Sequence, residues 1–329
     1  MTGHPDSLRE SVTDKIARWF STEASSDLLE LQARVEYMAK HLFKEYEPTR
    51  RPSADFLLRC RDWLDNVPAD SDQRLLLELV PHLVFISRRE FEALYRGAFN
   101  ERITPWLVEL LEIRLDDFNA GRILETAISR TWFCAGTDSM QISSFCHVNR
   151  ITGPAVRPDW RSLRTLGTTP QQLRELMGRE SLERIVILED FVGSGTQIAS
   201  AIELAASIPE SPPVLVCPLV CCPQGRRRIE ETIAGAPQIT FTPVFEPSAA
   251  AFLSEVASSD EPTLHASLRS MAFRTEEQVC DGDADCEALG FQKTGSLVVL
   301  YTNCPNNTLP LVHHSSASWA ALFPRSDRQ

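Results

Sequence analysis

Residues 184–198, RIVILEDFVGSGTQI, join an apolar run, two carboxylates and a glycine-hydroxyl turn in one uninterrupted order. Ile185, Val186, Ile187 and Leu188 carry no polar interruption, the pattern of a strand buried on both faces of a parallel sheet. Glu189 and Asp190 would stand at its carboxyl end, where open α/β sheets bind their ligands. The chain then turns through Gly193, Ser194, Gly195 and Thr196 into an Ala- and Ile-rich helix of roughly residues 197–207. A small-residue turn opening a helix offers free backbone N–H groups with the positive end of the helix dipole behind them, which makes a phosphate cradle.

Three commoner motifs fail on these residues. A P-loop needs a lysine that is absent here. The dinucleotide fingerprint needs a third glycine where Ile198 stands. A nucleophile elbow centred on Ser194 needs glycines where Val192 and Thr196 stand. An ordinary strand-to-helix turn with acidic residues before it is the plain alternative.

The order of strand, acid pair, two apolar residues and small-hydroxyl turn resembles the phosphoribosyl-diphosphate (PRPP) loop of the type I phosphoribosyltransferases. That resemblance implies that Glu189 and Asp190 face the ribose hydroxyls while Gly193, Ser194, Gly195, Thr196 and Gln197 hold the 5-phosphate. Physical chemistry agrees, because vicinal hydroxyls donate well to carboxylates and a phosphate accepts from N–H and O–H groups.

No apolar run nears the roughly 20 residues that span a bilayer, and the N-terminal segment lacks a signal peptide's apolar stretch, so a cytoplasmic protein without direct membrane association is expected. A net charge of -12 argues against a general nucleic-acid surface, which needs clustered Lys and Arg. The nine cysteines contain no Cys-x-x-Cys pair and read as reduced thiols; those flanking residues 280–286, CDGDADC, could close under oxidation. That acidic stretch fails the calcium-loop pattern at Cys286 and Gln292, so no metal ligands are assigned.

Residues 1–120 read as a helical region. Ser26 or Asp27 caps a helix with Leu28, Leu31, Val35, Met38 and Leu42 on one stripe, ended by Pro48 and Pro52. Ser53 starts a second helix, Asp70 or Ser71 a third that breaks near Pro81, Ser87-x-x-Glu90 boxes a fourth and Thr104-Pro105 opens a fifth. Residues 121–329 read as an α/β domain with an insertion at about 248–294. Within it, residues 119–130 suit a helix and 131–134 a strand, followed by Ala135, Gly136, Thr137, Asp138 and Ser139. In the type I transferases that this chain resembles, a small-residue loop after a strand carries the pyrophosphate, and the resemblance makes this loop, with Asp138 and Ser139, the candidate for it, a plain turn being the alternative. Residues 140–148 read as the next strand, and 149–169 as a long loop whose Arg150 and Arg157 are candidates to close over pyrophosphate. Strands at 214–220 and 239–245, with a helix between, extend a parallel sheet. Arg226 to Arg228 reads as a solvated run, with phosphate contact the lesser option. Ser248 caps a helix through Val256, 258–294 is irregular, and 296–302 is the last strand. It runs into Asn306 and Asn307, amides that either read a base edge or satisfy a turn.

PHLVFISRREFEALYRGAF at 81–99, LEDFVGSGTQ at 188–197, LYTNCPNNTLPLVHH at 300–314 and WAALFPR at 319–325 together resemble the bacterial phosphoribosyltransferase-like effector family abbreviated PRTase-CE. The resemblance implies a phosphoribosyltransferase-like parallel sheet flanked by helices, preceded by an all-helical region. It also implies PRPP or a related nucleotide as ligand, Mg2+ carried by the pyrophosphate, action at the ribose C1 N-glycosidic bond, and a protein partner from a conflict or anti-phage locus. A non-catalytic nucleotide sensor signalling through the helical region is the alternative. Gln197 departs from the Thr, Ala or Leu common beside the phosphate loop.

Overall fold

The computed structural model describes residues 9–22, 25–48, 55–152 and 159–326. Two compact units emerge, residues 1–88 together with 248–329, and residues 89–247. This differs from a division near residue 120. Helices before residue 88 associate with the C-terminal part of the chain, and residues 89–120 with the sheet.

The first unit begins with helices α1 (Val12–Thr22), α2 (Ser26–His41), α3 (Phe56–Leu64) and α4 (Asp70–Leu79) and strand β1 (Val84–Ile86). From the start of α5 (Arg88–Gly97) the second unit adds α6 (Thr104–Leu110), α7 (Ala120–Ser129), β2 (Thr131–Ala135), α8 (Ile142–Val148), α9 (Trp160–Thr165) and α10 (Pro170–Arg179). Strand β3 (Arg184–Val192), α11 (Thr196–Ala206), β4 (Val214–Cys221), α12 (Pro223–Ile233) and β5 (Ile239–Phe241) complete it. The first unit is finished by α13 (Thr263–Cys280), β6 (Val298–Leu300) and α14 (Pro310–His313).

In the first unit, β1 and β6 pair in parallel, Val84 opposite Val298 and Ile86 opposite Leu300. The strands are 214 residues apart in sequence by that register, so the pairing itself ties the N-terminal helices to the C-terminal segment. Around them Trp63, Phe85, Leu268, Val299, Trp319 and Phe323 form one apolar core. The indole N–H groups of Trp63 and Trp319 both donate to the carbonyl of Leu311, at 2.6 and 3.1 Å. Helix α2 is capped by Ser25, one residue earlier than expected, and α3 by Asp55; Ser53, Pro52 and Arg157 lie outside the described residues.

In the second unit the strand order is β2-β3-β4-β5, all parallel. One face, with Trp132, Cys134, Ile185, Ile187, Val214 and Val216, packs on side chains of α9 to α12. On the other, Phe133 meets Phe145 of α8, whose ring in turn meets Tyr95 of α5. Central β3 is therefore covered on both sides, as its unbroken apolar run requires.

Three expectations are corrected. Residues 140–148 form helix α8 rather than a strand, because Ile142, Phe145 and Cys146 are the buried positions and their spacing has the helical period. The segment after Ser248 is a single 3-10 turn, Ala249–Ala251. The stretch 258–294, expected to be irregular, contains the 18-residue α13. Its buried face mixes His265 and Thr275 with Leu268, Met271 and Ala272, and Pro262 at its N-cap makes no side-chain cap bond, so the usual start signal and a clean apolar stripe are both missing. Cys280 and Cys286 form a disulfide, and the other seven cysteines are buried. Among the described residues no helix is long and apolar enough to cross a membrane.

Candidate functional site

The acid pair occupies the sixth and seventh of the nine positions of β3, continuous with the strand's hydrogen-bond ladder, and both side chains are buried: Glu189 is 3% and Asp190 5% exposed. Burying two adjacent carboxyls is costly unless hydrogen bonds or a shared proton compensate. Here the hydrogen bonds are visible, and their geometry bears on the proton.

The hydroxyls come from the loop that follows β2. Register places Ala135 opposite Leu188, and the Gly136 N–H donates to Leu188 O at 2.8 Å. The loop Gly136–Ser139 is thereby laid over the acid pair, 50 residues away in sequence. Thr137 Oγ1 donates to Glu189 Oε1 at 2.7 Å, and Ser139 Oγ lies 2.7 Å from both Glu189 Oε1 and Asp190 Oδ1. The two hydroxyl oxygens are 2.8 Å apart. Gly136 has no room for a side chain, since a Cβ there would sit 2.7 Å from Glu189 Oε2.

Counting protons over these oxygens favours a neutral Glu189. Four contacts of 2.7–2.8 Å join the four oxygens, but two hydroxyls own only one proton each. With both carboxyls ionised, two of the four would be bare oxygen–oxygen approaches. A proton on Glu189 supplies a third donor, so that Thr137 donates to Glu189, Glu189 to Ser139 and Ser139 to Asp190, and only the Thr137–Ser139 approach is left without one. Burial, and then the neighbouring Asp190 charge, push the Glu189 pKa well above the usual carboxylate range, while the Ser139 and Thr137 hydroxyls pull it back. Glu189 Oε2, buried with no hydrogen-bond partner among the described residues, is better tolerated on a neutral carboxyl than on an anion.

A pH signature follows, with a definite sign. Glu189 is raised in the folded state, so above its unfolded value the folded chain binds more protons than the unfolded chain. Stability therefore falls as pH rises, by up to about 1.4 kcal/mol per pH unit, until the folded pKa is passed. Glu189→Gln keeps an acceptor for Thr137 and Ser139 and removes this dependence. Its melting temperature relative to wild type is expected to climb as pH rises above the ordinary carboxylate range. A difference that stays flat as pH rises would contradict a protonated Glu189.

The second loop is built where sequence placed it. Gly195 adopts φ +78° as the N-cap of α11, a left-handed conformation that favours glycine. Ser194 Oγ and Thr196 Oγ1 are 3.2 Å apart, and Thr196 and Gln197 are exposed at the first turn of α11. That turn's N–H groups have no acceptor within the helix. The loop is braced from behind by α12: Cys222 N donates to Val192 O at 2.8 Å. A Cβ on Gly225 would lie 2.7 Å from Gly193 O, and one on Gly195 would lie 2.9 Å from Arg228 Cβ.

The three arginines of α12 divide by this packing. Arg226 is tied bidentately to Glu246 at 2.5 Å, bonds Glu230 at 2.8 Å and stacks on Phe241. Arg228 lays its stem on Gly195 and leaves an exposed head group with no ion pair among the described residues. From sequence the run is a solvated patch with phosphate contact the lesser option, and only the α11–α12 contact separates its members.

Among the other candidates, Asp138 is exposed and its carboxylate lies 3.9 Å from Arg161 Nη1, while Arg161 N donates to Gly136 O. Arg161, from the segment read as a basic loop, is thus brought to the Gly136–Ser139 loop. Arg164 is instead engaged with Glu203 and Ser200 O of α11, and Arg150 is exposed with φ +55°. Asn306 and Asn307 belong to the first unit. Asn307 donates to Phe291 O and Thr294 Oγ1, and the Asn306 carbonyl accepts from Phe291 N. Thr137 is expected only as part of the candidate loop and Arg228 only as part of the basic run, and nothing in the sequence singles out Gly225. The hydroxyl–x–hydroxyl spacing of Thr137 and Ser139 after a strand was the available signal for the first. Among the described residues no group of His, Cys, Asp or Glu is arranged to hold a metal ion by itself.

The PRTase-CE family model matches residues 60–325, a span that takes in both loops and the acid pair. Comparison with curated proteins and with solved structures gives no significant match.

Proposed function

The chain belongs to the PRTase-CE family and is a phosphoribosyltransferase-like protein, and from that premise we propose that its second unit binds PRPP or a related ribose 5-phosphate nucleotide and acts at the ribose C1 N-glycosidic bond. The observation that carries this reading is the buried Glu189–Asp190 pair, held at the end of β3 between two small-residue loops. A diol-bearing sugar is the natural ligand of such a pair, and a phosphate that of the Gly193–Gln197 turn.

Each group then has a role. Asp190 and Glu189 fix the ribose hydroxyls. The Gly193–Gln197 backbone and hydroxyls hold the 5-phosphate, with Arg228 reaching over it. Asp138, Ser139 and Arg161 flank the pyrophosphate. Transfer through an oxocarbenium-like state needs little beyond positioning and complementary charge, which the Asp190 carboxylate would supply to the ribose it fixes. Mg2+ would arrive on the pyrophosphate, whose hard oxygens suit it, and would neutralise charge on the leaving group, with Asp190 the protein oxygen available to it. Family association with conflict loci supports an effector role, the acceptor being a base, an amine or water.

The test is the thermal midpoint with and without millimolar PRPP and magnesium, in wild type and Asp190→Asn. Ligand at about 100 times its dissociation constant adds about 2.7 kcal/mol to the folded state. A shift is expected in wild type, and its loss, with roughly 100-fold weaker binding, in the variant. Absence of any wild-type shift would sink the reading. Binding without pyrophosphate release would favour the sensor over the enzyme.

A further inference from the structure

Both acids already have hydroxyl partners. Glu189 Oε1 meets Thr137 and Ser139, and Asp190 Oδ1 meets Ser139 and the Phe191 N–H at 2.8 Å. Asp190 Oδ1 accepts both of its bonds, while Glu189 Oε1 accepts one and donates one, so these two oxygens have no capacity left for a sugar hydroxyl. The two side-chain oxygens lie 2.8 Å apart, a separation matching two neighbouring hydroxyls on one face of a furanose ring.

We propose that Thr137 and Ser139 hold the very positions on the acid pair that a ribose diol takes, so that binding exchanges two loop hydroxyls for two sugar hydroxyls. This rests on the phosphoribosyl reading above and adds to it a competitor built into the fold. Gly136 is pinned through both its N–H, to Leu188 O, and its carbonyl, from Arg161 N, so the loop leaves by turning about its first residue. The freed hydroxyls of Thr137 and Ser139 then become available to the pyrophosphate end of the ligand, coupling the two subsites. A 2-deoxy sugar exchanges only one of the two and gains correspondingly less.

Calorimetric titration with ribose 5-phosphate, which lacks the pyrophosphate, separates this from a direct-contact role. Thr137→Val and Ser139→Ala, singly and together, are expected to tighten binding, the double variant by about tenfold, with a smaller gain for 2-deoxyribose 5-phosphate. Thr137→Ser, which restores a hydroxyl, should return wild-type affinity. In the wild-type protein, hydrogen exchange at residues 137–139 should quicken on saturation with ribose 5-phosphate, a readout that needs no variant to fold. Unchanged or weaker binding by the variants, or slower exchange at the loop, overturns the exchange while leaving the ligand reading intact. If neither wild type nor any variant binds a phosphoribosyl compound, the ligand reading itself fails, and the exchange with it.

Discussion

Gly295→Ala is expected to destabilise the protein by about 3 kcal/mol or more. Gly295 has φ +62°, and a Cβ there would lie 1.9 Å from the carbonyl oxygen of Leu253. The obstructing atom is backbone, held by the Leu253 N–H donating to Gly295 O at 2.7 Å, so no side-chain rotation can relieve it. The next residue, Ser296, is fully buried and leads into β6. Displacing it strains the β1–β6 pairing and the core around Trp63 and Trp319. Urea unfolding followed by tryptophan emission measures the loss. Gly282 supplies the control: its φ is +84° but nothing lies within 4 Å of its Cβ position. Gly282→Ala should therefore cost only the backbone preference, about 1 kcal/mol. Equal effects at the two glycines would mean that the close approach to Leu253 contributes nothing.

Gly225→Ala should separate stability from function. Gly225 sits in the first turn of α12, where alanine is the better helix former by up to about 1 kcal/mol. Opposing this, its Cβ would meet Val192 Cγ1 at 2.6 Å, Gly193 O at 2.7 Å and Val192 O at 3.0 Å. The clash includes the backbone of Val192 and Gly193, at the start of the turn proposed to hold the phosphate, so relief moves the turn. Net destabilisation of about 1–2 kcal/mol is expected, alongside at least roughly tenfold weaker PRPP binding, because sub-ångström misplacement of a binding loop is expensive. Full-strength binding would show that the turn between β3 and α11 does not hold the phosphate.

The α/β class and the acid–loop segment could be read because their signals are local. Four consecutive branched or long apolar residues, Ile185 to Leu188, suit only a strand covered on both faces, and Gly195 supplies the left-handed residue that lets Thr196 open α11. Helix α8 was misread because residues 142–148 are short and rich in β-branched and small side chains, so periodicity gave too little to set a helix apart from a strand. Helix α13 escaped because its inward face includes His265 and Thr275.

What sequence determined, then, was which residues form a buried strand, a turn and a helix N-terminus, since backbone sterics and burial act over a few residues. Tertiary structure alone decided that Thr137 and Ser139 meet Glu189 and Asp190, that Arg226 is tied up while Arg228 lies on Gly195, and that β1 finds β6. Those contacts depend on strand register and helix packing between segments tens to hundreds of residues apart. A one-residue slip of β2 against β3 would carry the hydroxyls away from the acids, and no local pattern encodes that register.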